Sequence, residues 1–196
     1  MLASAASAQG TADAAALNRA LKINPASAAA LAELEALAEG GDSKAALFAS
    51  SAYRGGFGAE RDFDRATALA VRAAELGNAA GLLAQGDIIR QAGRGSAESV
   101  AAARPFWDQA AALGNVGALG RLAQVDAPAL VSQLQRALDA KGFDAGAADG
   151  VIGPKTLSAV NAYCAEAEIS DACAEGELTS APVLRALVRS GLLKSN

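Results

Sequence analysis

Apolar residues recur at helical spacing along most of the chain, and glycine-containing breaks separate the apolar segments. A Gly-Gly-Phe-Gly break at 55–58 interrupts one such pair of segments, and a Gly-Arg-Gly break at 93–95 interrupts the next. The pattern therefore predicts two consecutive helical hairpins, with helices over residues 45–53, 63–76, 81–89 and 101–113.

The hairpins belong to a repeat of 37 residues. The pairs Gly40-Gly41, Gly77-Asn78 and Gly114-Asn115 follow this period. A period of this length indicates stacked helical units. We expect Gly77 and Gly114 to end helices with a positive φ, which glycine adopts without a Cβ penalty. A helix pair over 11–39 and a half unit over 116–125 are expected to close the two ends of the stack.

The repeat resembles the Sel-one-like family, which is related to tetratricopeptide repeats. The matching positions are Ala46, Tyr53, Gly56, Gly58, Asp62, Ala66, Ala73, Ala74 and Gly77 in the first unit, and Gly93, Gly95, Trp107, Ala110, Ala111 and Gly114 in the second. Ser50 stands near the place of a family glycine, and the second unit lacks the family's Tyr and Asp. The resemblance covers about residues 41–125, and it implies a surface that holds a protein partner.

Three aromatic residues of the repeats, Tyr53, Phe57 and Trp107, are candidates for partner binding. The alternative is that these rings fill the core between repeats, which is the commoner role of aromatic residues at helical spacing.

A different pattern begins after Asp126-Ala127-Pro128, and we place a domain boundary there. A helix from about residue 130 ends at Gly142, and a turn segment follows to Gly153. Pro154 opens a second helix, and a third spans 181–190. The predicted apolar face of the second helix consists of Leu157, Val160, Ala162 and Tyr163. The predicted domains are 11–126 for the repeats and 128–196 for the second domain, after a segment 1–10.

The second domain resembles the three-helix peptidoglycan-binding family. The resemblance rests on Leu134, Gln135, Leu138, Gly142, Phe143, Gly146, Asp149, Gly150, Gly153, Thr156, Ala159 and Val160. The family usually has Gln after the aromatic residue of its second helix, whereas Cys164 follows Tyr163 here. The resemblance implies peptidoglycan or its fragments as a ligand. Polar groups suited to such a ligand are Arg136, Asp149, Lys155, Thr156 and Asn161.

Composition agrees with an all-α fold, here a short α-solenoid of helical hairpins followed by a small three-helix domain. More than a quarter of the residues are Ala, which favours helices. The net charge is -4, and no segment concentrates Lys and Arg, so we expect no nucleic-acid partner. No apolar run reaches the roughly 20 residues of a membrane-spanning helix, so no transmembrane segment is expected.

The chain contains no His and two Cys, which limits its chemistry. Without His, Ser-His-Asp and Cys-His catalysis are impossible, and the commonest metal ligand is absent. We therefore predict no enzyme activity, no cofactor and no metal site. Cys164 and Cys173 are too far apart in sequence for a C-x-x-C motif. They form either a disulfide, which implies an oxidising compartment, or two buried thiols.

These observations predict a non-catalytic periplasmic scaffold that binds peptidoglycan and a protein partner. The alternative is a periplasmic regulator that binds a membrane sensor or a cell-wall enzyme through the repeats, with little glycan binding. Ala6-Ser7-Ala8 matches the A-x-A pattern of a signal-peptide cleavage site. Residues 1–10 are therefore either the remnant of an export signal or a frayed Ala/Ser-rich terminus.

Overall fold

The computed structural model describes residues 13–174 and 177–193, and these residues form helices and connecting loops with no strand among them. The predicted all-α fold is confirmed. The segment 1–10, interpreted as a signal remnant, lies outside the described residues. The chain divides into two compact units, residues 1–78 and 79–196.

The first unit contains two helix pairs, α1 (Ala14–Ile23) with α2 (Ala28–Glu39) and α3 (Ser43–Gly55) with α4 (Phe63–Glu75). Asp13, Ser27, Asp42 and Asp62 begin the four helices, and each side chain accepts a hydrogen bond from a backbone N–H of the first turn. The sequence analysis predicted all four helices, with bounds within a few residues.

Helices α3 and α4 pack against each other and bury alanine side chains. The fully buried alanines of these two helices are Ala45, Ala46, Ala49, Ala66, Ala70 and Ala73. Ser50 donates a 2.7 Å hydrogen bond to the carbonyl of Ala66, which satisfies its buried hydroxyl. Ser50, whose small side chain donates this hydrogen bond, thus stands near the position where the Sel-one-like repeat has glycine. This packing uses the high Ala content as expected, since small side chains let two helices approach closely.

The second unit contains six helices within the described residues. They are α5 (Ala79–Ala92), α6 (Ala97–Ala112), α7 (Val116–Ala140), α8 (Pro154–Glu166), α9 (Ser170–Ala174) and α10 (Ala181–Arg189). The sequence analysis predicted five of these segments as helical and missed the short α9. Gly77 and Gly114 have φ values of +81° and +79°, so both adopt the left-handed conformation expected at helix ends.

Helix α7 is kinked at the predicted domain boundary. Asp126 has non-helical angles (φ -159°, ψ 71°), and its carboxylate accepts a 3.1 Å hydrogen bond from the Ala129 N–H, as a helix N-cap does. Arg104 of α6 holds the same carboxylate at 2.8 Å. Residues 116–125 and 127–140 are therefore two helical segments in sequence. The proposed boundary at 126–128 coincides with this kink and stays a prediction.

One hydrophobic core joins the two sides of the kink. Trp107, which is fully buried, belongs to the same cluster as Leu122 before the kink and Leu134, Leu138 and Val183 after it. Burial of these side chains stabilises α6, α7 and α10 together. The second unit therefore positions the candidate site through a core that begins before residue 128.

Candidate functional site

The loop from Lys141 to Gly153 joins α7 to α8 and folds back over the buried side chain of Gln135. The Gln135 Nε2 donates to Asp149 Oδ1, the Val151 carbonyl and Thr156 Oγ1, each at 3.1 Å. Its Oε1 accepts a 3.0 Å hydrogen bond from the Gly150 N–H. One side chain of α7 thereby fixes both the Asp-Gly turn and the first turn of α8.

Gly150 lets this turn pass close to the start of the second segment of α7. Its φ is +78°, and a Cβ built there would lie 2.4 Å from the carbonyl oxygen of Pro128. Any side chain would therefore meet both a conformational penalty and a clash with backbone. The glycine of the Asp-Gly pair is a structural requirement of the loop.

Two of the predicted binding residues, Asp149 and Thr156, take part in the Gln135 network. Thr156 is 2% exposed, and its hydroxyl lies 3.3 Å from the carbonyl of Ala145. The pKa of Asp149 is lowered, first by the hydrogen bond from the Val151 N–H and then by the one from Gln135. Both side chains are engaged in holding the loop, and their role as ligand contacts stays a prediction.

The other three predicted residues, Arg136, Lys155 and Asn161, are exposed. Lys155 Nζ lies 2.9 Å from Asp144 Oδ2, and this hydrogen bond is the largest cause of the lowered pKa of Asp144. Arg136 lies on the surface of α7. Asn161 lies on α8 and lines a groove.

The groove has a volume of about 300 Å³ and lies between the end of the loop, α8, residue 173 and residues 177–179. Its principal lining residues are Ile152, Leu157, Val160, Asn161, Glu177 and Leu178, and Cys173 and Thr179 complete it. Ile152 and Leu157 are 42% and 46% exposed, although both are large apolar residues. Exposed apolar side chains on the wall of a groove are typical of a binding site.

Leu157 was predicted to lie on the buried face of α8, and this prediction was wrong, as it was for the exposed Ala162. The buried face consists of Thr156, Ala159, Val160, Tyr163 and Cys164. These positions follow helical spacing (i, i+3, i+4, i+7, i+8), but the apolar pattern alone passes over Thr156. The exposure of Leu157 could have been predicted from this spacing if a hydrogen-bonded Thr and a Cys had been allowed on the buried face.

Cys164 and Cys173 form a disulfide, with their Cα atoms 6.5 Å apart. The bond ties α9 to the end of α8, so it holds the Cys173 side of the groove against the helix that carries Leu157 and Asn161. Of the two alternatives left open by the sequence, the structure has the disulfide.

The three aromatic candidates for partner binding lie in different environments. Trp107 is fully buried, and Tyr53 is 5% exposed, with its hydroxyl donating a 3.0 Å hydrogen bond to Glu35. Burial in the core is the alternative that the sequence analysis weighed for these rings. Phe57 is 42% exposed and offers side-chain surface to a partner. Partner binding at these positions stays a prediction.

Comparison with protein-family models matches residues 128–163 to a family described as "Putative peptidoglycan binding domain". The match covers the second segment of α7, the loop and most of α8, which are the elements that the Gln135 network joins. The Sel-one-like resemblance of the preceding repeats stays a prediction. No curated protein and no solved structure matches the chain significantly.

The match and the disulfide bear on where the protein acts. Disulfides persist in oxidising compartments, and peptidoglycan lies outside the cytoplasmic membrane. Within the described ranges, no helix is both long enough and apolar enough to cross a membrane. The chain carries a peptidoglycan-binding-like domain, and this domain together with the disulfide indicates an extracytoplasmic protein.

Proposed function

We propose that this protein is a non-catalytic periplasmic scaffold or adaptor, which binds peptidoglycan through its C-terminal domain and a protein partner through its helical repeats. The observation that carries the proposal is the family match at residues 128–163. The Gln135 network supports it, because hydrogen bonds between this one buried side chain and Asp149, Gly150 and Val151 of the loop preorganise the surface that the loop presents to a ligand.

The charge state of the carboxyl groups supports a role in binding rather than hydrolysis. A glycan hydrolase needs a general acid, which is a carboxyl group whose pKa is raised. Hydrogen bonds lower the pKa of Asp126, Asp144 and Asp149, so none of these three carboxyl groups has that property. With no His in the sequence, the usual alternative proton donor is also missing.

The repeats supply the proposed second function, a surface for a protein partner. Phe57 lies in the loop between α3 and α4, and its ring is exposed by 42%. Exposed aromatic residues are enriched where proteins bind one another. A scaffold of this kind would bring its partner to the cell wall.

The test is co-sedimentation of the purified full chain with isolated peptidoglycan sacculi. The full chain is used because the second segment of α7, α8 and α10 share their core with Trp107 and Leu122, which a fragment that starts at residue 128 would lack. We expect the protein in the sacculus pellet and in the supernatant of a cellulose control. Recovery of the folded chain only in the supernatant of the sacculi would refute peptidoglycan binding.

The partner-binding function is tested separately by cross-linking and affinity purification from periplasmic extract. We expect a partner recovered with the wild-type chain to be lost with Phe57→Ser and retained with Val71→Ser, which changes another exposed apolar residue of the same unit. Equal recovery with both variants would contradict a docking role for Phe57.

A further inference from the structure

The groove beside the disulfide combines apolar walls with a single charged group. Val160 and Leu178 are buried at 2% and 9% exposure, while Ile152 and Leu157 have large exposed areas. A ligand that covers these two side chains would remove apolar surface from water, which favours binding. The walls therefore suit methyl groups or short aliphatic chains.

Glu177 is the only charged side chain among the described residues that line the groove. Asn161 and Thr179 are the uncharged polar residues of this lining, which contains no Lys or Arg within the described part of the chain. A carboxylate with no cationic neighbour among these described residues attracts an ammonium group. The charge of the groove thus selects a ligand that carries an amine.

Peptidoglycan offers two kinds of surface to such a groove. Its glycan strands present uncharged hydroxyl and acetamide groups on sugar rings, and the described lining contains no aromatic ring for a sugar to stack on. Its peptide stems present alanine methyls, backbone amides, free carboxylates and, at the diamino acid, a side-chain amine. The methyls match Ile152 and Leu157, the amides match Asn161 and Thr179, and the amine matches Glu177.

We propose that this groove binds the peptide stem of peptidoglycan and pairs the free amine of the stem's diamino acid with Glu177. Cross-linking turns that amine into a neutral amide, so the groove prefers stems that are not cross-linked through it. A volume of about 300 Å³ lies at the small end of ligand pockets, which suits a short stretch of peptide. This inference rests on the proposed function and names the part of the polymer that is recognised.

Binding of soluble ligands to the full chain tests the inference by calorimetry. The probes are N-acetyl-L-Ala-γ-D-Glu-meso-diaminopimelate, in which the distal amine is the only free amine (the free tripeptide), the same peptide acetylated on that amine as well (the acetylated tripeptide), and glycan strands stripped of stems by an amidase. We expect the free tripeptide to bind, the acetylated one to bind about 3- to 10-fold more weakly, and the stripped strands not to bind. Equal binding of the two tripeptides, or binding of stripped strands alone, would overturn the inference.

Matched variants locate the ligand. Leu157→Asp places a charge on the apolar wall, and we expect it to weaken tripeptide binding more than 10-fold. Ser158→Asp places the same charge one residue along α8 outside the lining, and we expect a change of less than about twofold. Glu177→Gln should remove the preference for the free amine, whereas Glu166→Gln, at the exposed end of α8, should retain it.

Co-sedimentation with sacculi separates this inference from the proposed function. Should the wild-type chain and the variants Leu157→Asp and Glu177→Gln all bind sacculi equally well, the groove is not the site and peptidoglycan binding stands. Should the folded wild-type chain fail to bind sacculi at all, both are wrong. Fluorescence of Trp107, the single tryptophan and a member of the same core, verifies that each variant is folded.

Discussion

Replacement of Gln135 by Met tests whether this one buried amide holds the candidate site together. Met has a similar length and keeps the apolar contacts of the chain, but it neither donates nor accepts the hydrogen bonds of the amide. In the native chain the amide reaches Asp149, Val151 and Thr156 through Nε2 and the Gly150 N–H through Oε1. All four interactions are lost together in the variant.

The expected decrease in the free energy of unfolding depends on which polar groups lose their hydrogen-bond partner. Asp149 is exposed and can bind water, and Thr156 keeps its contact with the carbonyl of Ala145. The Val151 carbonyl keeps the 3.0 Å hydrogen bond from the Gly153 N–H, so the Gly150 N–H is the group that loses its partner in the variant. At about 1–3 kcal/mol for a polar group left without a partner, we expect Gln135→Met to lower the free energy of unfolding by about 1–3 kcal/mol.

Urea unfolding followed by Trp107 fluorescence measures this loss, because Trp107 is fully buried in the core that the α7 residues share. The control is Gln133→Met, which makes the same exchange at an exposed position of the same helix and should change the stability by less than about 0.5 kcal/mol. Equal unfolding midpoints for the two variants would show that the network does not stabilise the loop, and the reasoning would fail.

Three further changes have expected outcomes. Gly150→Ala combines a left-handed φ with a clash against a backbone carbonyl and should cost about 2–4 kcal/mol in the same urea assay; an unchanged midpoint would contradict this. Replacing Cys164 and Cys173 by Ser removes a disulfide with a sequence separation of 9 and should lower the free energy of unfolding by about 2.5–3 kcal/mol. If the fully reduced wild type were as stable as the disulfide-bonded one, the variant would lose no stability and this prediction would be wrong. The pKa of Asp126 is lowered by its hydrogen bond from Arg104. Its contribution to stability is therefore present above the ordinary pKa near 3.8 and is lost as the pH falls through the lower pKa of the folded state. Asp126→Asn should flatten the acid dependence of stability below about pH 4, and an unaltered profile would refute the assignment.

The helical hairpins were predictable from the sequence because local signals determine them. The glycines at 77 and 114 stop helices through their own backbone freedom, and the observed φ values of +81° and +79° agree with that expectation. The N-terminal helix pair and the start of α8 at Pro154 were found for the same reason. In each case the residue that sets the structure lies within a few positions of the element that it bounds.

The environments of individual site residues were not predictable in the same way. The buried Thr156 hydroxyl accepts a hydrogen bond from Gln135, which lies 21 residues earlier, and no local sequence pattern indicates that partner. Leu157 is exposed because Thr156 takes the buried position beside it. Tertiary hydrogen bonds thus decide which side of α8 faces the core, and an apolar count assigns that side incorrectly.

The residues of the matched segment divide between holding the loop and lining the groove. Gln135, Gly150 and Thr156 are part of the family-like pattern, and the structure engages them in holding the loop. Of the groove residues, Leu157 and Val160 lie in the matched segment 128–163, whereas Glu177 lies outside it. The resemblance therefore predicts a folded loop and a site beside α8, while the charge of the groove depends on a side chain outside the matched segment. Substitutions of Gln135, Gly150 or Thr156 should accordingly change stability first and affinity with it, and substitutions of the exposed Leu157 or Glu177 should change affinity alone.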